Sequence, residues 1–298
     1  MYDSIVIAVD GSDEARRAAQ YGLRLAQVFD ATVDVLSVVE RKALWLTETP
    51  DEKTQLREQG ENALTEVGEI ASELGYPIST ELTEGKPTVQ ISENADEQDS
   101  DLIVLGRQGL TGLGRRLLGG VTEQVLSRSD VPVLVVPDID HKGKTEIDYS
   151  RVLITTDGSK NAEVAIPHGI EITRRYDSNV HVLNVVDLQA AGGVFNAGGL
   201  EKEFIERLDA RGQEAVDSVA DKIEESDSDL TVKTAVKQMA SFERTAAGVC
   251  EYVEENKIDF IIMGSHGRSN LERQLLGSVA STVLRTVDVP VLVIKRTG

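Results

Sequence analysis

Glycines at fixed spacing follow a short apolar run near the end of the chain. Residues 264–279 read GSHGRSNLERQLLGSV, with two residues between Gly264 and Gly267 and nine before the pair Gly277-Ser278. Glycines at the carboxyl end of a strand let backbone N–H groups approach an anion. A Gly-Ser pair at a helix start adds free amides, a hydroxyl and the positive end of the helix dipole. The spacing predicts a phosphate site, although a tight turn followed by a helix N-cap would use the same residues.

A second segment, GRQGLTGLGRRLLGGV at 106–121, repeats this spacing with one difference. Gly106, Gly109 and Gly119 match the three glycines, but Gly120 stands where the other copy has serine. The backbone amide remains, whereas the hydroxyl is lost and the helix start becomes looser. We therefore expect a weaker or empty site in this copy.

Charged residues near the two kinds of turn differ in sign. The first strand-to-helix turn is acidic in the first copy and would repel phosphate, with Asp10, Asp13 and Glu14. The glycine segments carry arginines that would favour phosphate, namely Arg107, Arg115, Arg116, Arg268 and Arg273. Solvated helix charges are an equally good interpretation of the last two.

Asp10 and Asp157 each end an apolar run and precede Gly-Ser. A carboxylate at that point could accept hydrogen bonds from ribose hydroxyls or an amino group. The same residues could instead form an Asx-turn, with Ser12 or Ser159 as the helix N-cap. The two roles are compatible with each other.

Other motifs for phosphate or metal are incomplete. Gly143-Lys144-Thr145 resembles the end of a Walker A loop, but Asp138 occupies the position of its first glycine. The four histidines have no ligand spacing, which argues against a zinc site: His141, His168, His181 and His266. Cys250 is the single cysteine, so no intrachain disulfide can form.

The sequence contains an internal repeat that covers nearly the whole chain. SIVIAVDGSDEA at 4–15 returns as RVLITTDGSKNA at 151–162, offset by 147 residues, and DLIVLGRQG at 101–109 returns as DFIIMGSHG at 259–267, offset by 158. The 11 extra residues of the second copy fall best in the glycine-rich loop 188–199. Repeated segments of this length predict two similar domains.

The repeats give the domain boundaries. We predict one domain at 1–137 and a second at 151–298, joined by the polar, non-periodic linker 138–150. In each copy, short Val/Ile runs alternate with helical periods, which predicts a parallel sheet with right-handed crossovers. For the first copy we predict strands at 5–9, 33–39, 78–82, 102–105 and 131–136, with helices between them. Ligands of such sheets bind at the carboxyl ends of the strands, near the switch in strand order.

Composition limits the classes of partner. The 298 residues are 40% hydrophobic and 28% charged, with a net charge of −20. Such a surface repels nucleic acid and anionic membranes. The N-terminal sequence has no basic region or cleavage site, so we expect a cytoplasmic protein. The acidic composition suits a halophilic, salt-filled cytosol and equally an ordinary acidic cytosolic protein.

With the Gly-x2-Gly-x9-Gly-Ser spacing, DGS after the first strand and VPVLVI at the end, the chain resembles the universal stress protein family in its tandem, ATP-binding form. The resemblance implies two Rossmann-like α/β domains of the adenine nucleotide alpha hydrolase type, each a five-stranded parallel sheet with helices on both faces. It implies that ATP, AMP or ADP binds the second copy, with Mg²⁺ or Mn²⁺ held through the phosphates. The residues matched to the family's nucleotide contacts are Asp157, Val186, Gly264, Gly267, Gly277 and Ser278. Weaker contacts are expected in the first copy from Asp10, Val39, Gly106, Gly109 and Gly119.

Three classes of function remain open, of which a purely structural partner-binding protein with both pockets empty is the third, and the intact second motif is the main objection to it. The favoured hypothesis is a stress-response module whose nucleotide-bound state is read by protein partners; the alternative is a slow ATP-hydrolysing or nucleotidyl-transferring enzyme. No His-x-Gly-His, PP-loop signature or obvious general base beside the glycine turn supports the enzyme. The family resemblance also implies that the last strands, PVLVV and PVLVI, pair the two domains within one chain, and a homodimer is compatible with it.

Overall fold

The computed structural model describes residues 1–40, 50–110, 117–138, 149–188, 202–239, 245–267 and 276–296. Its contacts divide the chain into two compact units, Met1–Ile147 (unit 1) and Asp148–Gly298 (unit 2). Apart from their ends, the predicted linker 138–150 and the inserted loop 188–199 lie outside the described residues.

Unit 1 alternates strands and helices along its described residues. The strands are β1 (Ser4–Val9), β2 (Thr32–Glu40), β3 (Ser79–Gly85), β4 (Leu102–Gly106) and β5 (Val133–Val136). The helices are α1 (Asp13–Phe29), α2 (Pro50–Glu73), α3 (Pro87–Glu97) and α4 (Gly120–Arg128).

Unit 2 repeats this order within its own described residues. Its strands are β6 (Arg151–Thr155), β7 (Asn179–Asp187), β8 (Val232–Met239), β9 (Phe260–Gly264) and β10 (Val291–Ile294). Its helices are α5 (Lys160–Glu163), α6 (Ala165–Tyr176), α7 (Lys202–Ser226), α8 (Thr245–Asn256) and α9 (Ser278–Thr286).

Each unit forms a parallel sheet with the strand order of a doubly wound fold. The order is β3-β2-β1-β4-β5 in unit 1 and β8-β7-β6-β9-β10 in unit 2, with parallel pairing throughout. In unit 1, α1 contacts α2 and α3 contacts α4. Because the chain moves in opposite directions before and after β3, right-handed crossovers place these helix pairs on opposite faces. The predicted fold class is confirmed.

Strand boundaries differ from the predictions by a few residues, for local reasons. The last strand of unit 1 begins at Val133 and not at Val131, because Pro132 has no N–H to donate to the ladder. The third strand runs on to Gly85, three residues past the predicted end. The long helix α2 ends at Glu73, just before Gly75, whose φ of +65° cannot continue a helix.

The core of each unit lies between the central strand and the first long helix. Residues Ile5–Val9 of β1 are all buried, as expected for a strand covered on both faces. Gly22 allows α1 to lie close to that strand, since a Cβ on it would come 2.7 Å from Cδ1 of Ile7. Gly169 lies over Ile154 in the same way in unit 2. None of the helices within the described residues is long and apolar enough to cross a membrane.

Candidate functional site

A cavity opens in unit 2 at the carboxyl ends of β6 and β9, beside the switch in strand order. Its volume is about 230 Å³. Five of the six nucleotide contacts predicted for this copy line it, namely Asp157, Gly264, Gly267, Gly277 and Ser278. The sixth, Val186, is buried beside the cavity, and the preceding residue Val185 lines it. The fold therefore gathers residues more than 100 positions apart at the place where doubly wound sheets bind ligands.

Asp157 shapes the turn between β6 and α5. Its Oδ1 accepts a hydrogen bond from the N–H of Ser159 at 2.9 Å, which makes the Asx-turn. Gly158 within that turn has a φ of +74°, a conformation that favours glycine. The Ser159 hydroxyl then caps the helix by accepting from the N–H of Ala162 at 3.3 Å. The Asx-turn and the serine N-cap are both present, and they leave Asp157 on the cavity wall.

The glycine turn after β9 packs directly on the first turn of α5. A Cβ on Gly264 would lie about 3.1 Å from the carbonyl carbon of Asn161 and closer still to its oxygen. Asn161 also donates from Nδ2 to the carbonyl oxygen of Gly267 at 3.0 Å. A Cβ on Gly267 would come 2.5 Å from Asp157 Oδ2. Glycine is needed at both motif positions because the two turns touch there.

Helix α9 begins at the wall of the cavity. Gly277 is its N-cap, and the N–H of Gly277 donates to the carbonyl of Ser265 at 2.9 Å. A Cβ on Gly277 would lie 2.9 Å from that same carbonyl oxygen, so a larger residue would push the turn away from the helix. Ser278 is the first helical residue and is exposed. The first amides of a helix have no intrahelical acceptor, so this end suits an anion.

His266 also lines the cavity, a position that sequence reasoning did not assign to it. It lies between the first two motif glycines, and its Nδ1 is 2.9 Å from the Ser265 hydroxyl oxygen. A histidine inside the turn contradicts the expectation that no candidate general base lies beside it. The position between the two glycines was the signal that could have identified it. Arg268 and Arg273 lie outside the described residues.

Unit 1 has a corresponding cavity of about 480 Å³, larger than that of unit 2. All five of the weaker contacts predicted for the first copy line it: Asp10, Val39, Gly106, Gly109 and Gly119. Apolar side chains from β2, α2, α3 and the glycine segment form much of its wall, including Leu36, Leu56, Ile91, Leu110, Leu117 and Leu118. The first copy has therefore kept room for a ligand.

Asp10 joins the two turns of unit 1. Its Oδ1 accepts from the N–H of Ser12 at 3.0 Å, and its Oδ2 accepts from the N–H of Leu110 at 2.9 Å. Gly109 lies against the same carboxylate, where a Cβ would overlap Oδ2. Asp10 thus has a structural role in the glycine turn as well as a place on the cavity wall.

Glu14 reaches the glycine turn of unit 1 as well. Its Oε2 accepts from the N–H of Gln108 at 2.7 Å. The acidic turn and the glycine turn, which the sequence suggested as separate regions of opposite charge, are therefore in direct contact. Arg107 is buried and does not line the cavity, so its guanidinium is not placed to contact a ligand there. Arg115 and Arg116 lie outside the described residues.

Cys250 and His181 do not line either cavity. Burial raises the pKa of the Cys250 thiol to about 11, which disfavours the nucleophilic thiolate. Burial, helped by Lys233 and Arg151, lowers the pKa of His181. Among the described residues there is no group of three or more His, Cys, Asp or Glu side chains placed to hold a metal ion.

Comparison with known proteins identifies the family of the chain. The model of the universal stress protein family matches residues 1–137 and 148–295. A universal stress protein of Methanocaldococcus jannaschii is 41% identical over 142 residues, covering 46% of this chain and 82% of that protein. One from Mycolicibacterium smegmatis is 26% identical over 302 residues, covering 98% and 96%.

A solved structure shows the same fold over both units. The crystal structure of a universal stress protein from Archaeoglobus fulgidus has a TM-score of 0.70 and 22% identity, and the match covers 98% of this chain and 96% of that one. The family model matches once in each repeat, and the mycobacterial relative matches across both repeats. The chain therefore belongs to the universal stress protein family, in its tandem two-domain form.

Proposed function

We propose that unit 2 binds an adenine nucleotide, ATP in the first instance, and that the chain acts as a stress-response module whose nucleotide-bound state is read by other proteins. The observation that carries the proposal is the convergence of Gly264, Gly267, Gly277 and Ser278 on one cavity at the carboxyl ends of β6 and β9. Backbone amides, a hydroxyl and a helix N-terminus meet there, as phosphate binding requires.

The close contacts of the turn fit a phosphate chain lying against backbone. Side chains at Gly267 or Gly277 would meet Asp157 Oδ2 at 2.5 Å or the Ser265 carbonyl at 2.9 Å. Both positions therefore present bare backbone to the cavity. Asp157, which lies on the wall of the same cavity in the turn between β6 and α5, would accept hydrogen bonds from a sugar hydroxyl or an amino group. A divalent ion, Mg²⁺ or Mn²⁺, would be held by the phosphates and water.

A slow ATP-hydrolysing enzyme is the second candidate, favoured by one observation. His266 lines the cavity and could act as a general base once phosphate is bound. Among the described residues, no lysine or arginine lines this cavity to stabilise the charge that develops in a transition state. Contacts that already hold phosphate in the ground state do not by themselves accelerate a reaction. We therefore place binding ahead of turnover.

The decisive experiment is titration calorimetry of ATP into wild-type chain and into two matched variants. Ser278→Ala removes only the hydroxyl at the start of α9, and Gly120→Ala places the same residue at the equivalent position of unit 1. Loss of a hydrogen bond to charged phosphate costs about 1.5–3 kcal/mol, so Ser278→Ala should weaken binding roughly ten- to a hundredfold. Gly120→Ala should bind as wild type does. Unchanged affinity in Ser278→Ala would contradict a phosphate contact at Ser278.

Nucleotide identity needs a separate measurement. Mass spectrometry of the small molecules released from denatured, freshly purified chain would show whether ATP, ADP or AMP is carried. Recovery of no nucleotide, together with no heat on titration of ATP, would refute the proposal. AMP binding more tightly than ATP would keep the adenine site and remove the role proposed for the triphosphate.

A further inference from the structure

The cavities of the two units differ in the polarity of their walls. Three hydroxyl-bearing residues line the unit 2 cavity at the carboxyl end of β6 and the start of α8: Thr155, Thr156 and Thr245. The repeat offsets of 147 and 158 residues place three apolar residues, which all line the unit 1 cavity, at the equivalent positions: Ala8, Val9 and Pro87. Positions that offer hydrogen bonds in unit 2 therefore offer only apolar surface in unit 1.

Exposed apolar side chains continue this wall to the opening of the unit 1 cavity. Four large apolar residues are exposed among the described residues of the chain, and three of them line this cavity: Leu110, Leu117 and Val121. Their exposed fractions are 55%, 50% and 38%. Single exposed apolar residues are normal on a protein surface, whereas a group of them at one place marks a binding site. A molecule in this cavity would cover all three.

The unit 1 cavity has the size of a small-molecule site. Its volume of about 480 Å³ lies within the range of roughly 300–1,000 Å³ that is usual for ligand pockets. Inside the opening, the wall is formed largely by buried apolar side chains, including Leu36, Ile91, Leu105 and Leu118. Burial of apolar surface contributes about 25 cal/mol per Å², so this wall favours a ligand with an apolar body.

The charged groups of the unit 1 cavity are acidic. Asp10 directly follows β1 and Glu40 ends β2, and both residues line the cavity. Among the described residues, no lysine, arginine or histidine lines it. Glu40 has no counterpart in the wall of unit 2, since the equivalent Asp187 does not line that cavity. The wall therefore favours a hydrogen-bond donor or a cation over an anion.

We propose that the unit 1 cavity is a second ligand site, and that it takes a largely apolar, non-anionic molecule with an amine or a hydroxyl at one end. The apolar body lies against the leucine, isoleucine and valine side chains of the wall, and the donor group lies at the carboxylate of Asp10 or Glu40. This proposal stands on unit 1 and does not depend on nucleotide binding in unit 2. It assigns different ligands to two cavities that have the same place in the fold.

Gly120 offers a way to block the unit 1 cavity without disturbing the fold. It lines the cavity, and no described atom lies within 4 Å of a Cβ placed there. Nile red, an uncharged apolar dye whose fluorescence rises when it leaves water, is titrated into full-length wild type, Gly120→Phe and Ser278→Phe, which is the matched change in unit 2. We expect the affinity for the dye to fall at least roughly tenfold in Gly120→Phe. Ser278→Phe should bind the dye as wild type does.

A second variant covers the case in which Gly120→Phe fails to fold. The side chain of Leu117 is half exposed, so Leu117→Gln removes apolar surface from the opening of the cavity without removing it from the core. We expect the affinity for Nile red to fall roughly fivefold in this variant. Thermal unfolding confirms that each variant is folded.

Competition with the dye tests the class of ligand. Octylamine and octanoate have apolar chains of the same kind and head groups of opposite charge. Each is added to the dye complex in about 0.15 M salt, which limits the reach of the net charge of −20 to about 8 Å. We expect octylamine to displace the dye at a concentration at least roughly fivefold below that of octanoate. Glu40→Gln, which removes one of the two carboxylates, should reduce this preference.

Three results would overturn the proposal. The first is a wild-type chain that does not bind Nile red, or that binds it no more tightly than folded Gly120→Phe and Leu117→Gln do. The second is displacement of the dye by octanoate as readily as by octylamine. The third is displacement of the dye from Ser278→Phe by ATP, which would make unit 1 a nucleotide site. A wild-type chain that binds the dye in unit 1 and binds no ATP would support this proposal and refute the proposed function of unit 2.

Discussion

Gly267 lies against the carboxylate of Asp157, so closely that a Cβ on the glycine would come 2.5 Å from Oδ2. Gly109 and Asp10 have the same relationship in unit 1. The turn after the first strand and the turn after the fourth strand are therefore one packed structure in each unit. A substitution in either turn should therefore alter the conformation of the other.

The substitution Gly267→Ala tests this packing in unit 2. The added methyl group must displace Asp157, whose Oδ1 is held by the N–H of Ser159 at 2.9 Å. We expect the affinity for ATP to fall roughly tenfold, which corresponds to about 1.4 kcal/mol. Titration calorimetry measures this loss directly.

Gly109→Ala is the matched control for that variant. It makes the same clash with Asp10 in unit 1, where we expect a weaker or empty site. Thermal unfolding should show a comparable loss of stability in both variants, with ATP affinity lowered in Gly267→Ala alone. Equal loss of ATP affinity in the two variants would mean that both cavities are occupied.

Hydrolysis of ATP by purified chain should stay near background. His266 lines the cavity, but among the described residues no lysine or arginine lines it to stabilise a transition state. We expect His266→Gln to leave the slow rate of phosphate release unchanged. Sustained turnover well above one per second, abolished by His266→Gln or by Gly277→Val, would establish the enzyme instead.

Stability should fall at mildly acidic pH because of His168. Burial lowers the pKa of His168 from 6.5 to about 4. Above pH 6.5 this imidazole is neutral in both states, whereas between pH 6.5 and 4 only the unfolded chain takes up the proton. The free energy of unfolding therefore decreases as the pH is lowered through that window. His168 contributes a decrease of about 2 kcal/mol at pH 5.

Urea unfolding at pH 7.5 and pH 5 measures that effect, with His168→Gln for comparison. The variant should lose less stability on acidification than wild type does. Some dependence of the stability on pH should remain in this variant, because burial also lowers the pKa of His181. Identical losses in the two proteins would contradict the assignment to His168.

A buried polar pair in unit 2 offers a test of the fold itself. His181 Nδ1 and the Tyr252 hydroxyl oxygen are 2.9 Å apart, and the pair joins β7 to α8. Tyr252→Phe would leave the imidazole nitrogen without its partner, at a cost of about 1–3 kcal/mol in the free energy of unfolding. In a His181→Leu background the same substitution should cost much less, and the double-mutant cycle measures the difference.

The fold was predictable from the sequence because the repeat supplies every element twice. Runs such as Ile5–Val9 mark strands buried on both faces, and glycine and proline mark where elements end. The motif glycines could be placed at one site because the carboxyl ends of parallel strands share an edge of the sheet. The local hydrophobic pattern and the direction of the strands were sufficient to predict the elements and the place where the motif glycines meet.

Contacts between the two turns could not be predicted in this way. Glu14 and Gln108 are 94 positions apart, and only the packing of α1 on the end of β4 brings the carboxylate to that amide. Arginine is a residue type that often binds phosphate, yet the side chain of Arg107 is buried and does not line the cavity. Side-chain direction within a turn depends on tertiary packing, and spacing carries no information about it.

Gly120 has open space around it, since no described atom lies within 4 Å of a Cβ placed there. Packing does not require glycine at this position, so serine could be gained or lost in a single mutation without strain. After duplication, the two halves of such a gene could therefore diverge in ligand binding at this position, because its side chain takes no part in the packing of the domain.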